Sequence, residues 1–246
     1  MSKLRPTIAV VMAMRAEARL VVEAVEAKEV DSPAPMPYRW WVRECDSYRL
    51  VIAINGVDDR HGVDLIGTEP AVLCTNAVVA AFSPDVVISA GTAGGWQRSG
   101  ASVGDLYVGW PHVVRHDRRI DIARLRDYGI GRHAVWEYSE QLAAAIGARC
   151  GVVTTGNSLD ESPTDRDLIV SLNGEVKEME AAAVAWVCEL SKTPFVAVKT
   201  ITDLVDHPTP TGDQFLANLA SASERLSVAV PAAAEWVARL LTSSGE

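Results

Sequence analysis

Three acidic residues stand at junctions between predicted strands and helices, where their side chains could act together on one ligand. Glu17 follows the apolar run from Ile8 to Met14, which predicts a strand that turns into a helix. Asp203 follows the run from Phe195 to Ile201, whose β-branched residues predict an interior strand. Glu180 begins an apolar helical pattern, so its carboxylate is expected on the buried face. Ligands of open α/β sheets bind at the carboxyl ends of strands, so Glu17 and Asp203 are expected at one edge. Two such carboxylates could serve as a general acid and a general base.

Each of these acids also has an ordinary structural explanation. Glu17 and Glu180 would be favourable in the first turn of a helix, where the dipole stabilises negative charge. Asp203 could end a strand or cap the next element. The three explanations are independent, whereas one site accounts for a Met-Glu pair, a helix, a strand and a terminal Asp in that order. The combination therefore favours a functional site.

Composition narrows the classes of protein to consider. The 246 residues are enough for one α/β domain, and nothing in the chain divides residues 1–246 into two. Lys and Arg number 23 against 32 for Asp and Glu, and the net charge of -9 argues for a soluble acidic protein and against a nucleic acid partner. The apolar run near the N-terminus is too short for a membrane span or a signal peptide, so no membrane partner is expected.

The four cysteines indicate a reducing compartment. They lie at positions 45, 74, 150 and 188, with no C-x-x-C pair, in mostly apolar surroundings. This pattern predicts reduced core residues of a cytoplasmic protein, without a disulfide framework or a zinc site.

Several motifs occur in a recognisable order along the chain. They are MAMRAEARL around Glu17, GTAGG at 91–95 followed by Val-Gly-Asp at 103–105, TGNSLD at 155–160, MEAAAVA at 179–185 and TDLVD at 202–206. Together they resemble the 5'-methylthioadenosine/S-adenosylhomocysteine nucleosidases of the purine nucleoside phosphorylase-like superfamily. The HDRRI run at 116–120 is most similar to the plant-type branch. The resemblance implies a single α/β domain with a central, mixed, twisted β-sheet flanked by helices, and a homodimer.

The resemblance also implies roles for individual side chains. Glu17 would activate water, Asp203 would donate a proton to the leaving adenine, and the pair Met179 and Glu180 would hold the ribose. Thr92 would face the ribose and the water, Leu159 would cover the base, and Ile66 would form an apolar wall beside the 5' group. The neighbouring Glu178 and Thr202 complete the substrate-binding candidates. No metal or organic cofactor is needed for this chemistry.

The residue type at position 89 bears on whether phosphate or water is the nucleophile in this superfamily. Phosphorylases of the superfamily typically carry an Arg there to hold the attacking phosphate, and this chain has Ser89. Without a guanidinium partner a phosphate dianion would be poorly held, so water is the favoured nucleophile. The expected reaction is hydrolysis of 5'-methylthioadenosine to adenine and 5-methylthioribose in methionine salvage, with S-adenosylhomocysteine left open as a second substrate. A phosphate-dependent phosphorylase and a non-catalytic nucleoside-binding or storage protein are the alternatives.

Other expectations concern the remaining elements. The glycines after Ala90 predict a turn, and the C-terminal region predicts one helix from about Phe215 and another from Pro231 to Leu241. His61, in a polar loop, is expected to be solvated rather than catalytic. For His116 the resemblance implies either a place near the water site, as in bacterial members, or a role at an interface, as in the plant-type branch. The lid over the 5' group is not assigned to any residue.

Overall fold

The most continuously apolar segments form the central strands of one mixed sheet. The computed structural model describes residues 5–32 and 35–243. The strands are β1 (Thr7–Met12), β2 (Lys28–Val30), β3 (Arg39–Glu44), β4 (Arg49–Ile54), β5 (Val57–Asp58), β6 (Val63–Asp64), β7 (Val86–Gly95), β8 (Leu106–Arg115), β9 (His133–Ala134), β10 (Arg149–Thr155), β11 (Gly174–Glu178) and β12 (Phe195–Leu204). The helices are α1 (Arg15–Ala24), α2 (Thr68–Phe82), α3 (Leu125–Ile130), α4 (Ser139–Ile146), α5 (Pro163–Ser171), α6 (Ala181–Ser191) and α7 (Thr211–Ser243).

Within the described residues, the large sheet has ten strands in the order β11-β10-β8-β12-β7-β1-β4-β3-β2, with β9 paired to β8. The strands β4, β1, β7 and β12 run parallel, whereas β8 runs antiparallel to β12. The predicted α/β fold with a mixed sheet is therefore confirmed. The parallel strands place the ends of β1, β7 and β12 at one edge, where the predicted acids lie.

Alternating residues of the strands build a core on each face of the sheet. In β1, Ile8 and Val10 pack in the cluster that α1 and α7 cover, while Ala9 and Val11 pack in the cluster that α2 and α6 cover. All six residues of β1 are buried, as expected for a strand with helices on both faces. None of the helices described is long and apolar enough to cross a membrane.

The glycine-rich segment is strand rather than turn, which corrects the sequence-based expectation. Strand β7 continues through Gly95, and the segment from Gly91 pairs in parallel with β12. The glycines are needed for close side-chain approach instead. A Cβ on Gly94 would lie 2.6 Å from Oδ2 of Asp203, and a Cβ on Gly91 would lie 3.1 Å from Oε1 of Glu17.

The C-terminal region is one helix, α7, and the prediction of two helices is wrong. Pro231 lies inside it. A proline within a helix removes one hydrogen bond and costs about 3 kcal/mol. Both halves nevertheless bury the same face against the same core, with Leu226 and Val230 before the proline and Ala234 and Val237 after it. This continuous apolar stripe keeps the helix intact across Pro231.

Candidate active site

A cavity of about 740 Å³, including its open mouth, lies at the ends of β1, β7 and β12. This size is typical of small-molecule sites. Every side chain selected from the sequence as catalytic or substrate-binding lines it, although these residues are distributed along most of the chain. They are Glu17, Ile66, Thr92, Leu159, Glu178, Met179, Glu180, Thr202 and Asp203.

Glu17 lies in the first turn of α1 and is 2% exposed. Its Oε1 accepts hydrogen bonds from the backbone N–H of Thr92 at 2.6 Å and from the Thr92 hydroxyl at 2.7 Å. Its Oε2 accepts a longer bond of 3.3 Å from the N–H of Met14. Burial raises the pKa of Glu17, although the bonds from Thr92 and the charge of Lys199 oppose that rise. The carboxyl group is thus fixed in place with a proton affinity suited to a general base.

Asp203 lies near the end of β12 and is 3% exposed. The register between β12 and β7 shifts between Ile201 and Asp203, and such a bulge re-aims a side chain. The Thr202 hydroxyl donates to Oδ1 of Asp203 at 2.8 Å, and Oδ2 lies over Gly94. Burial raises the pKa of Asp203, which favours the protonated form that an acid catalyst needs.

The two carboxyl groups are held at neighbouring points of β7. Glu17 binds at Thr92 and Asp203 lies over Gly94, two residues further along the strand. Two residues of a strand span about 7 Å. Paired carboxyl groups roughly 6.5–9.5 Å apart leave room for a substrate and an attacking water in inverting glycosidases.

Glu178 lines the cavity, but its carboxylate is occupied by the protein. It accepts hydrogen bonds from the N–H groups of Glu180 and Ala181, from the Thr155 hydroxyl, and from the Lys199 ammonium, 2.9 Å away. Burial alone would raise the pKa of Glu178, but the Lys199 charge and these donors outweigh it and lower the pKa. Glu178 therefore stays ionised and anchors the N-terminus of α6.

Glu180 is held from the other side of the cavity. Its Oε1 accepts a hydrogen bond of 2.8 Å from the N–H of Gly67, which has a φ of 98° and so favours glycine. Burial, followed by the nearby charge of Glu178, raises the pKa of Glu180 to about 7. Hydrogen bonds donated by a ligand's hydroxyl groups would stabilise the ionised form of the Glu180 side chain.

Phe215 and Lys177 are among the cavity residues that were not selected from the sequence. Phe215, near the start of α7, lines the cavity, and α7 is tied to β12 because the Asn218 side chain donates to the Thr202 carbonyl at 2.9 Å. Lys177, in β11, also lines the cavity. The signal for Phe215 was an aromatic residue near a helix start, whereas a lysine in GEVKEME gives no sign that it is buried.

The histidines do not line this cavity. His61 is exposed beside the β5–β6 hairpin, as predicted. His116 is 1% exposed, and its ring packs on Gly156, where a Cβ would clash with it. Burial and the charge of Lys177 lower the pKa of His116 to about 4, so it is neutral. The structure therefore gives no support to a place for His116 beside an attacking water.

Asn157 fixes the loop after β10 through its side-chain amide. Its Oδ1 accepts from the N–H of Thr68 at 2.9 Å, and its Nδ2 donates to the Thr68 hydroxyl at 2.9 Å. Leu159, in the same loop, is 47% exposed at the mouth of the cavity. Asn157 thus joins the loop that carries Leu159 to the start of α2.

The chain is similar to known proteins in both sequence and structure. A family model described as the phosphorylase superfamily matches residues 7–235. The chain is 37% identical over 223 residues to the 5'-methylthioadenosine/S-adenosylhomocysteine nucleosidase of Arabidopsis thaliana, covering 89% of this chain and 87% of that protein. It is 39% identical over 221 residues to the 5'-methylthioadenosine nucleosidase of the same plant, covering 88% and 82%. The solved apo structure of Arabidopsis thaliana 5'-methylthioadenosine nucleosidase superposes with a TM-score of 0.92 at 34% identity, covering 96% of this chain and 97% of that one.

Proposed function

Since this chain belongs to the phosphorylase superfamily, as one of its 5'-methylthioadenosine/S-adenosylhomocysteine nucleosidases, we propose that it hydrolyses 5'-methylthioadenosine to adenine and 5-methylthioribose. The observation that carries this proposal is the shared cavity in which Glu17 and Asp203 are held two residues apart along β7. The rest of the cavity supplies the binding groups that such a substrate requires.

Adenine is expelled as the bond between C1' of the ribose and N9 breaks. The purine is a poor leaving group unless it is protonated, and the Asp203 carboxyl supplies that proton to N7. Burial favours retention of the proton on Asp203 until it is transferred, and the hydrogen bond from Thr202 opposes that effect only in part, since the pKa of Asp203 stays raised. The leaving base is then neutral adenine.

Water attacks C1' from the face opposite the departing base. Glu17 accepts a proton from this water, and Thr92 holds the Glu17 carboxylate in position through two hydrogen bonds. One C–N bond breaks and one C–O bond forms. The proton from water goes to Glu17 while the proton of Asp203 goes to the base. The configuration at C1' is inverted, as in glycosidases in which one carboxyl group acts as the acid and the other as the base for water.

The remaining cavity residues fit the parts of the nucleoside. Glu180 accepts hydrogen bonds from the 2' and 3' hydroxyls, and Met179 packs on the sugar. Leu159 covers the base. Ile66 forms the wall beside the methylthio group, and Phe215, which lines the same cavity, is the residue we assign to the lid. Glu178 contributes by fixing Glu180 and α6, because its own oxygens are occupied.

The charges around position 89 favour water over phosphate. The nearest cation, Lys199, donates to the Ser89 hydroxyl at 3.2 Å and is paired with Glu178 at 2.9 Å. Glu17 and Glu180 add further acidic groups on the same side. Among the residues described around position 89, a phosphate dianion would meet carboxylates and no unpaired cation.

The proposed function is tested by incubating the protein with 5'-methylthioadenosine with and without inorganic phosphate. Adenine should be released at the same rate in both, together with 5-methylthioribose. A requirement for phosphate with a sugar 1-phosphate product would establish a phosphorylase, and adenine binding without turnover would establish a non-catalytic protein. S-adenosylhomocysteine belongs in the same assay, because the two Arabidopsis relatives differ in whether their names include it.

We also propose that the protein is a cytoplasmic homodimer. The cysteines at 45, 74, 150 and 188 are free thiols, which suits a reducing compartment. Apolar side chains are exposed at the cavity mouth, where Ile66 is 47% exposed, and at Leu73 of α2 and Tyr128 of α3, which are 49% and 54% exposed. Arg118 joins the latter two, since it lines a groove with Leu73 and stacks on the Tyr128 ring. A patch of this kind typically marks an interface.

Sedimentation equilibrium tests the dimer. The measured mass should be twice that of the 26.4 kDa chain, and Leu73→Glu should shift it towards the monomer because it places a charge in the apolar patch. The exposed Val228 lies on α7, 13 residues after the cavity residue Phe215, and Val228→Glu is the control. A wild-type mass of one chain at micromolar concentration would contradict the proposal.

A further inference from the structure

Lys177 is a buried lysine at the cavity whose side chain has no part in the reaction steps above. It lies in β11, one residue before Glu178, and is 5% exposed. Its ammonium donates to the main-chain carbonyls of Ser158 at 2.8 Å and Leu159 at 2.7 Å. Burying an ammonium is costly unless its protons are hydrogen-bonded. These two bonds therefore fix the loop after β10 against β11 and also stabilise the buried ammonium.

Each of these two carbonyls belongs to a peptide group that also carries an N–H group. The Ser158 carbonyl shares a planar peptide with the N–H of Leu159, and the Leu159 carbonyl shares one with the N–H of Asp160. Neither N–H has a protein acceptor among residues 5–32 and 35–243. A charged donor on a carbonyl polarises its peptide and makes the N–H a stronger donor. Lys177 thus fixes and strengthens two donors next to the cavity.

The charge of Lys177 also reaches the proposed acid. Its ammonium faces Asp203 from β12, Asp160 and Glu161 from the loop, and Asp165 from α5. The Lys177 charge also acts on His116, where it adds to burial in lowering the pKa. Asp203 in turn faces Thr202, Lys177 and Glu161. Burial raises the pKa of Asp203, and the Lys177 charge limits that rise.

We propose that Lys177 is a positioning residue that holds the turn 158–160 against the purine ring and places its ammonium beside the same cavity as Asp203. The inference rests on the proposed nucleosidase function for the identity of the base. It assigns a specificity role to a residue that touches the loop rather than the reacting atoms. The loop then recognises the purine edge through main-chain donors, which only a fixed loop can present.

Lys177→Met tests this assignment, with Lys28→Met on the exposed strand β2 as the control of equal charge change. Loss of two charge-assisted hydrogen bonds should raise KM for 5'-methylthioadenosine, and weaken adenine binding, by about 10-fold or more. The plateau value of kcat should change by less than about threefold, because both reacting carboxyl groups remain. Removing the ammonium raises the pKa of Asp203, so the alkaline limb of the kcat profile should move to higher pH. Lys28→Met should match the wild type in all three.

If Lys177 had only a structural role, the substitution would lower the stability of the fold, but the alkaline limb of the kcat profile would not move to higher pH. If Lys177→Met does not fold, Lys177→Gln, which keeps one donor without the charge, should show the same shift of the limb and a smaller rise in KM. Folded variants whose KM and alkaline limb both match the wild type would overturn the proposal. Hydrogen exchange of 157–161 and adenine binding report on the loop without catalysis. Unchanged exchange and binding in Lys177→Met would thus refute the clamp, whereas absence of cleavage by the wild type would refute only the hydrolase.

Discussion

Asp203→Asn is expected to lower kcat for 5'-methylthioadenosine by about 10³-fold or more, because the amide cannot protonate the leaving adenine. The substitution is nearly isosteric, so the cavity and the hydrogen bond from Thr202 should persist. Adenine release followed by absorbance gives the rate. The alkaline limb of the wild-type profile, on which activity falls as Asp203 loses its proton, should be absent from the residual activity of the variant.

A substrate with a leaving group that needs no proton separates acid catalysis from general damage. With the 4-nitrophenyl glycoside of 5-methylthioribose, Asp203→Asn should retain most of the wild-type rate. The exposed Asp213, on the first turn of α7, provides the control Asp213→Asn, which should leave both substrates unaffected. Equal losses on both substrates would show that Asp203 is not the acid.

Glu17→Gln is expected to lower kcat by about 10²–10⁴-fold on both substrates, because water must be activated whichever group departs. The amide can still approach Thr92, and KM should change much less than kcat. On the acidic side of the wild-type profile, activity should fall as Glu17 becomes protonated. Burial raises the pKa of Glu17, so that limb should lie above the range of an exposed glutamate.

The matched control for Glu17 is the exposed Glu23, on the same helix. Glu23→Gln should leave kcat and both limbs of the profile unchanged. A Glu17→Gln enzyme that loses activity on 5'-methylthioadenosine but keeps it on the nitrophenyl substrate would assign Glu17 to the leaving group. That outcome would reverse the two roles.

The positions of the acids could be predicted from sequence because they follow short, continuous apolar strands. Ile8 to Met14 and Phe195 to Ile201 read as interior strands, and parallel strands bring their carboxyl ends together. The resemblance then selected the other candidate site residues, and all of these candidates line one cavity. Local sequence patterns and family motifs were sufficient to predict the features that depend on residues close together in the sequence.

Other features depend on contacts that sequence spacing does not encode. The segment from Gly91 to Gly95 looks like a turn, but pairing with β12 extends it as strand. Pro231 looks like a helix boundary, but one buried face continues across it. Glu178 looks like a ligand-binding acid beside Glu180, yet Lys199 lies 21 residues away in sequence and 2.9 Å away in space. These outcomes are decided by tertiary pairing rather than by local preference.

The central claim is that Glu17 and Asp203 act on opposite faces of one sugar, with water as the nucleophile. The configuration of the first-formed 5-methylthioribose, followed by NMR before the anomers equilibrate, tests it most directly. We predict the α anomer, formed by inversion of the β-nucleoside. Initial formation of the β anomer would mean that a covalent sugar intermediate precedes water attack, and would contradict the account.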